Sequence, residues 1–308
     1  MLDVSGIQLR VPTLESLVFP DFMKHQLEVA VLRLDNIHPI ISGNKWFKLK
    51  YNVVVALQQD CKVLITFGGA WSNHLHAFSY LGARLGLRTI AIIRGEEWQQ
   101  RTNPLLDDLR NWGTEIVAIS RRDYQQRNDP RFQQSWLNKY PGSYLIPEGG
   151  DNFLGMLGGI SLVQGLGRVD QQVIANAHGV ALACGTANTF TALRLPLPAK
   201  IALLGVSALK NNQFPALVKQ RFAAYWPLKL KNWQIFPDFH HGGFGKISDP
   251  LRHFMDSFTA QTQLQLDPVY TAKLLWGMTH LAQAGYFPPG YRLVLVHTGG
   301  LQGCRSLP

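Results

Sequence analysis

Short, nearly all-apolar runs recur along this chain, each closed by glycine or a polar turn. They are "KVLITFGG" from Lys62, "TIAIIRG" from Thr89, "EIVAIS" from Glu115, "GVALACGT" from Gly179, "KIALLGVS" from Lys200 and "YRLVLVHTGG" from Tyr291. Runs of this length with so few polar positions predict strands buried on both faces. Between them lie helical patterns, such as "NHLHAFSYLGARLGL" from Asn73 and "NPLLDDLRNWG" from Asn103. Strand and helix alternating in this way predict an α/β fold with open parallel sheets flanked by helices. Three of the runs end in glycine-bearing turns, at Gly68-Gly69, Gly185 and Gly299-Gly300. Ligands of open parallel sheets sit outside the carboxyl ends of the strands, so these turns are where chemistry is expected. The glycine-rich "PEGGDNFLGMLGG" from Pro147 reads as a hinge between two lobes. No internal repeat or low-complexity linker is present.

Length and composition narrow the class. With 308 residues the chain can bury one large core or two medium ones. Hydrophobic residues make up 46% and charged residues 16%, which argues against disorder. The net charge of +10 points to an anionic ligand or to nucleic acid. The basic residues are scattered singly or in pairs such as Arg121-Arg122, never in a run of five, which weighs against nucleic acid. Cys61, Cys184 and Cys304 lie far apart, with no C-x-x-C pair, so neither a disulfide framework nor a thiolate zinc site is expected. The first residues, "MLDVSGIQLRVPTLESL", lack the pattern of a secretory leader. No apolar stretch reaches the roughly 18 residues that span a bilayer. A cytoplasmic soluble protein without a membrane partner is the expectation.

Five stretches could carry chemistry. "ISGNKWFKLKYNVVVAL" from Ile41 sets Lys45, Lys48 and Lys50 into an apolar segment beside a Gly-Asn turn. Either the lysines form the solvated face of a helix, or one amine is screened from water so that its pKa falls and it becomes a nucleophile. In "ALACGTANTFTAL" a strand runs into Gly185, Thr186, Ala187, Asn188 and Thr189 and then into a helical pattern. Small residues, hydroxyls and a helix start suit an anion, and equally suit a plain capped turn. It is neither a P-loop nor a dinucleotide fingerprint. In "GGAWSNHLHAF", Ser72, Asn73 and His74 follow a strand directly, as helix caps or as groups facing a ligand. His74 and His76 are two apart, poor spacing for one helical face, so no metal site is expected. "LDPVYTAKLLWGM" starts a predicted helix at Pro268 with Tyr270 and Thr271 in its first turn, and "VHTGGLQG" ends a strand in Thr298.

Together and in order, these stretches resemble one family, the pyridoxal-phosphate (PLP) enzymes related to 1-aminocyclopropane-1-carboxylate (ACC) deaminase and D-cysteine desulfhydrase. The matching motifs are Gly43-Asn44-Lys45-Trp46-Phe47-Lys48-Leu49, Ser72-Asn73-His74, Pro147-Glu148-Gly149-Gly150, Asp267-Pro268-Val269-Tyr270 and His297-Thr298-Gly299-Gly300, covering roughly residues 41–300. The resemblance implies a tryptophan-synthase-β-like fold (fold type II). Its large PLP-binding domain would take residues 1–47 and 156–308 and its small α/β domain residues 48–155, with the cofactor between them.

The resemblance also implies roles. Lys45 would bond the cofactor covalently, and Lys48 would lie near its phosphate. Asn73 would hold the pyridoxal 3′-oxygen. Ser72 would contact substrate and help move protons, with His74 beside it. Gly185, Thr186, Ala187, Asn188 and Thr189 would receive the phosphate, and Thr298 would face the pyridine nitrogen. Tyr270 would stand over the substrate as acid, base or nucleophile, with Thr271 and Phe244 also lining the substrate. Two departures stand out. The phosphate turn is poorer in glycine than in the family, and Gly243-Phe244-Gly245 replaces a G-Y-G context, removing a phenolic hydroxyl. The expected activity is β-elimination from a small amino acid such as D-cysteine, giving pyruvate, ammonia and sulfide. The alternatives are ACC deamination, a PLP-binding protein with little turnover, and an anion- or nucleic-acid-binding module. A homodimer with a small amino-acid substrate and no nucleic-acid partner is what the family implies.

Overall fold

The computed structural model describes residues 7–164, 168–225 and 230–306. Residues 1–6, part of the stretch read above for a leader, lie outside the described residues. Among the described residues there are ten strands: β1 (Thr13–Leu17), β2 (Glu28–Arg33), β3 (Val63–Gly68), β4 (Arg88–Arg94), β5 (Glu115–Ile119), β6 (Ser143–Ile146), β7 (Gly179–Cys184), β8 (Ala202–Ser207), β9 (Trp233–Phe236) and β10 (Arg292–His297). All six apolar runs are strands. Three of the other four carry little apolar pattern. β6 and β9 have four residues each, and β1 is an exposed edge strand with only Leu17 buried.

The chain divides into two compact units. One comprises His38–Gly158 with the terminal pieces Met1–Leu9 and Arg305–Pro308, and the other comprises Arg10–Ile37 and Gly159–Cys304. Residues 38–47, assigned above to the large domain, group instead with the first unit. Asn44 opens a helix that runs unbroken to Gln58 and packs within that unit.

In the first unit β5, β4, β3 and β6 form an all-parallel sheet in that order. The period of two sends successive β3 residues to opposite faces. Leu64 packs with Leu49, Val53, Phe78 and Leu81 of the helices Asn44–Gln58 and Asn73–Arg84. Ile65 and Phe67 pack on the other face with Ile90, Ile92 and Trp136. Helices on both faces are what near-continuous apolar strands require. Truncating a buried leucine such as Leu64 to alanine would cost about 2–5 kcal/mol.

The second unit has the strand order β1-β2-β10-β7-β8-β9, parallel except for the antiparallel β1–β2 pair. Buried Arg194 ends the helix Asn188–Arg194 by donating to four carbonyls, those of Leu197 (2.7 Å), Pro198 (2.7 Å), Ile201 (2.6 Å) and Asn232 (3.1 Å). The short helix after β7 is thereby tied to the approaches of β8 and β9. All three cysteines are free thiols. No helix among the described residues is long and apolar enough to cross a membrane.

Candidate active site

In the first unit the Gly43-Asn44 turn sets up the lysine helix. Gly43 has φ 71° and ψ −150°, a backbone conformation open to glycine, and it lets Asn44 begin the helix abruptly. The three lysines then take different directions. Lys50 lies against the rings of Phe47 (5.5 Å) and Tyr51 (4.7 Å), and burial lowers its pKa. Lys48 is buried, whereas Lys45 is half-buried and its Nζ donates to Asn44 Oδ1 at 2.7 Å. Lys45 and Lys48 are the two whose charge is felt at His74.

Close backbone approaches lock this helix. A Cβ on Gly158 would fall 1.5 Å from the Phe47 carbonyl oxygen, and one on Gly150 would fall 2.9 Å from Lys48 Cβ. The amides of Asn52 and Asn152 bond to each other twice, at 2.7 and 3.2 Å, and Asn52 also donates to the Lys48 carbonyl at 2.8 Å. The expected hinge segment therefore forms a turn and the helix Phe153–Gln164, and its glycines serve close packing.

The Ser72-Asn73-His74 segment follows β3. Gly68 lets the next helix settle onto the strand end, because a Cβ there would lie 2.5 Å from Leu75 Cγ. Ser72 is the helix N-cap, its Oγ accepting from the Leu75 N–H at 3.3 Å. The buried Asn73 keeps its Oδ1 out of water with no partner among the described residues. An orphaned buried amide oxygen of this kind fits a residue whose amide meets a bound polar ligand. His74 is buried with Nε2 2.9 Å from Thr66 Oγ1, and that hydroxyl donates to the Ile146 carbonyl at 2.7 Å. The hydroxyl proton being engaged, Nε2 carries the imidazole hydrogen and Nδ1 holds a bare lone pair, itself buried without a partner among the described residues. Burial, followed by the charges of Lys45 and Lys48, pushes the His74 pKa down to about 3. His76 turns elsewhere, to Asp108 at 3.0 Å and the Trp112 ring. No group of His, Cys, Asp and Glu among the described residues could hold a metal ion.

In the second unit Val296 of β10 pairs with Leu182 of β7, so Thr298 and Gly185 emerge at the same carboxyl edge. Ala187 sits at the helix N-cap with φ 65° and ψ −6°, the left-handed conformation in which the family's extra glycine would be at ease. Asn188 and Thr189 are buried in the first helical turn, while Thr186 is half-buried. The Tyr270 ring lies on this turn, since a Cβ on Gly185 would be 3.0 Å from Tyr270 Cε1 and 3.2 Å from its hydroxyl. Phe244, half exposed, meets the Tyr270 ring edge-on at 6.2 Å. The strand register and the D-P-V-Y segment thus bring Gly185, Tyr270 and Phe244 together.

One local expectation is corrected. The helix starts at Thr271, after a turn, and not at Pro268. Asp267 Oδ1 accepts from the Tyr270 N–H (2.5 Å) and the Thr271 N–H (3.2 Å), an Asx-type closure that holds Pro268 and Val269 outside the helix. Thr271 is fully buried. Its hydroxyl accepts from the Asp267 N–H at 2.8 Å and donates to the Asp267 carbonyl at 3.3 Å, so it is engaged inside the turn.

Thr298 is supported by His297 of its own motif and by Asp35, which no motif includes. His297 donates from Nε2 to the Gln265 carbonyl (2.8 Å) and accepts the Gly299 N–H at Nδ1 (3.2 Å). Asp35, held by the Arg33 guanidinium at 2.7 Å, lies 3.5 Å from the same Nδ1. Burial lowers the His297 pKa despite Asp35, and the ring acts as a neutral clamp on the H-T-G-G turn. The histidine of that motif was the available signal.

No protein-family model matches the chain. A Thermotoga maritima protein named "Putative 1-aminocyclopropane-1-carboxylate deaminase" is 28% identical over 291 residues, 91% of each chain. The D-cysteine desulfhydrase of Klebsiella pneumoniae is 28% identical over 287 residues, 89% of this chain and 87% of that protein. Among solved structures, one described as an ACC deaminase homologue superposes with a TM-score of 0.77 at 25% identity, covering 96% of this chain and 90% of the other. Threonine deaminase isoform 2 from Solanum lycopersicum superposes at 0.68 with 14% identity, over 97% and 86% of the two chains, and speaks to the fold alone. The resemblance read from the motifs and the fold type II architecture both stand on these relatives.

Proposed function

We propose that this relative of the ACC deaminases and D-cysteine desulfhydrases is a PLP-dependent lyase that eliminates the β-substituent of a small D-amino acid, D-cysteine above all. The observation that supports the cofactor is the buried Asn73, whose Oδ1 has no partner among the described residues, one residue from a histidine that feels both Lys45 and Lys48. When bound, PLP supplies an electron sink for charge developing at the substrate Cα. Lys45 is the amine that would bond the cofactor and shuttle the Cα proton. Lys48 and the turn of Gly185, Thr186, Ala187, Asn188 and Thr189 would balance the phosphate charge. The Asn73 amide would hold the 3′-oxygen, and the Thr298 hydroxyl would meet the pyridine nitrogen. Ser72 and Tyr270 would bind substrate and move protons, with His74 a neutral acceptor.

In the overall reaction the Cα proton leaves and the C–S bond breaks with its electron pair on sulfur. Water then hydrolyses the released enamine to pyruvate and ammonia. The choice of D-cysteine over ACC is supported by Thr271. The family's deaminases carry a glutamate there, whereas this chain has a neutral hydroxyl engaged at Asp267. Position 271 thus offers a hydroxyl in place of a carboxylate for the proton traffic of ring opening, while a thiolate departs readily without one. The second reading, ACC ring opening, is favoured by the names of the Thermotoga relative and the superposed structure.

The test is keto-acid release from D-cysteine, β-chloro-D-alanine, L-cysteine and ACC by PLP-loaded protein. Pyruvate from the D-substrates should outpace α-ketobutyrate from ACC. The reverse order would replace this choice with the second reading. Silence on all four would leave a PLP binder without this turnover.

A further inference from the structure

We infer that Lys273 is a positioning residue, pinning the loop that carries Phe244 so that this ring is held against Tyr270. The inference rests on the proposed function only in taking those two rings to face the substrate. Lys273 is fully buried, a rare state for lysine. Its Nζ donates to the Gly243 carbonyl at 2.7 Å and the Ala208 carbonyl at 3.4 Å. Among the described residues no carboxylate bonds to it. A methionine would fill nearly the same space without burying a charge, so what the ammonium adds is its bonds to those carbonyls.

The anchored loop needs an anchor. His241, Gly242, Gly243 and Gly245 have φ of 50°, 95°, 109° and 68°, conformations that are entropically costly to hold. Within the loop the Gly243 N–H donates to the His240 carbonyl (3.0 Å) and the Lys246 N–H to the Gly243 carbonyl (3.1 Å). His241 is tied to Ser248 Oγ at 2.7 Å. Phe244 follows the pinned carbonyl directly and, being half exposed, has little packing of its own beyond the Tyr270 edge. Lys273 stands one helical turn after Tyr270, so a single short stretch supplies both the ring and the anchor of its neighbour. Burial pushes the Lys273 pKa down to about 8, against the pull of Asp267.

The test compares wild-type and Lys273→Met full-length protein by hydrogen exchange, thermal melting and steady-state kinetics. Exchange at residues 242–246 should accelerate about 10-fold, as for one lost hydrogen bond, while the strands keep their protection. The melting midpoint should move by only a few degrees, since a buried charge is lost along with its bonds. KM for D-cysteine should rise about 5-fold with kcat nearly unchanged, as for a displaced substrate-facing ring. Unchanged exchange in the loop, or acceleration spread over β7 and β8 as well, would overturn the inference. So would a fall in kcat with KM unaltered. Lys273→Gln, which retains a donor, is measured alongside, and failure of both variants to fold would assign the lysine to stability alone. If wild-type protein turns over none of the substrates, the proposed function fails while the exchange data still decide the role of Lys273.

Discussion

Replacing Gly158 with alanine should damage both the fold and the reactive lysine, through one contact. A methyl at this position falls 1.5 Å from the Phe47 carbonyl oxygen and 2.6 Å from its carbon. Ordinary C···O contacts are about 3.3–3.6 Å, so the two helices must separate by roughly 2 Å. The obstacle is backbone, which cannot rotate aside as a side chain can. Overpacking of this kind costs about 1–3 kcal/mol, a large part of the ~5–15 kcal/mol that holds a domain together. Phe47 lies between Lys45 and Lys48 on the displaced helix, and misplacing a catalytic group by about 1 Å can cost roughly 100-fold in rate. Urea unfolding and kcat/KM for D-cysteine measure the two effects separately. The control is Gly69→Ala, where a new Cβ meets nothing within 4 Å. That variant should unfold within about 1 kcal/mol of wild type, whereas Gly158→Ala should lose more. A Gly158→Ala protein with wild-type midpoint and wild-type turnover would refute the reasoning.

Further expectations concern titration and the missing hydroxyl. The folded protein holds His74 at a pKa of about 3 against 6.5 for an unperturbed histidine. Between those values the unfolded chain binds a proton that the folded chain refuses, so stability rises with pH at up to about 1.4 kcal/mol per unit. Urea midpoints from pH 4 to 7 should show a shallower slope in His74→Gln, and equal slopes would dismiss the assignment. Lys273, pushed down to about 8, gives a second window of the same sign at higher pH. From there to about 10.5 the unfolded state again holds the extra proton, so its contribution makes stability rise with pH, and Lys273→Met should lack that rise. Phe244→Tyr should raise kcat about 10-fold if a phenol there joins general acid–base catalysis, and an unchanged rate with a bound cofactor would exclude that role.

Much of this arrangement can be read from residue order, and the rest has identifiable reasons for staying hidden. Long apolar runs such as "GVALAC" and "RLVLVH" declare themselves as central parallel strands, and both are buried almost throughout. The four residues of β6 and β9 carry too little pattern to be told from loop. Ser72 was open between cap and ligand contact, and its hydroxyl does cap the helix. The late start of the helix at Thr271 follows from one Asp267 oxygen taking two backbone N–H groups, a local competition that apolar periodicity does not register. The lock on the lysine helix depends on Gly158 against Phe47 and Asn52 against Asn152, partners about a hundred residues apart in the chain. Glycine against a carbonyl leaves no periodic trace. Lys273 looks like any helix-surface lysine until the fold closes over it.

The central claim is that Lys45, alone among the three clustered lysines, bonds the cofactor. Borohydride reduction of PLP-loaded protein, followed by peptide mapping, tests it most directly. The account predicts a pyridoxyl label on Lys45, with Lys48, buried beside Gly150, and Lys50, turned toward Phe47 and Tyr51, unlabelled. A label on Lys48 or Lys50, or a loaded protein that yields no labelled peptide, would contradict it.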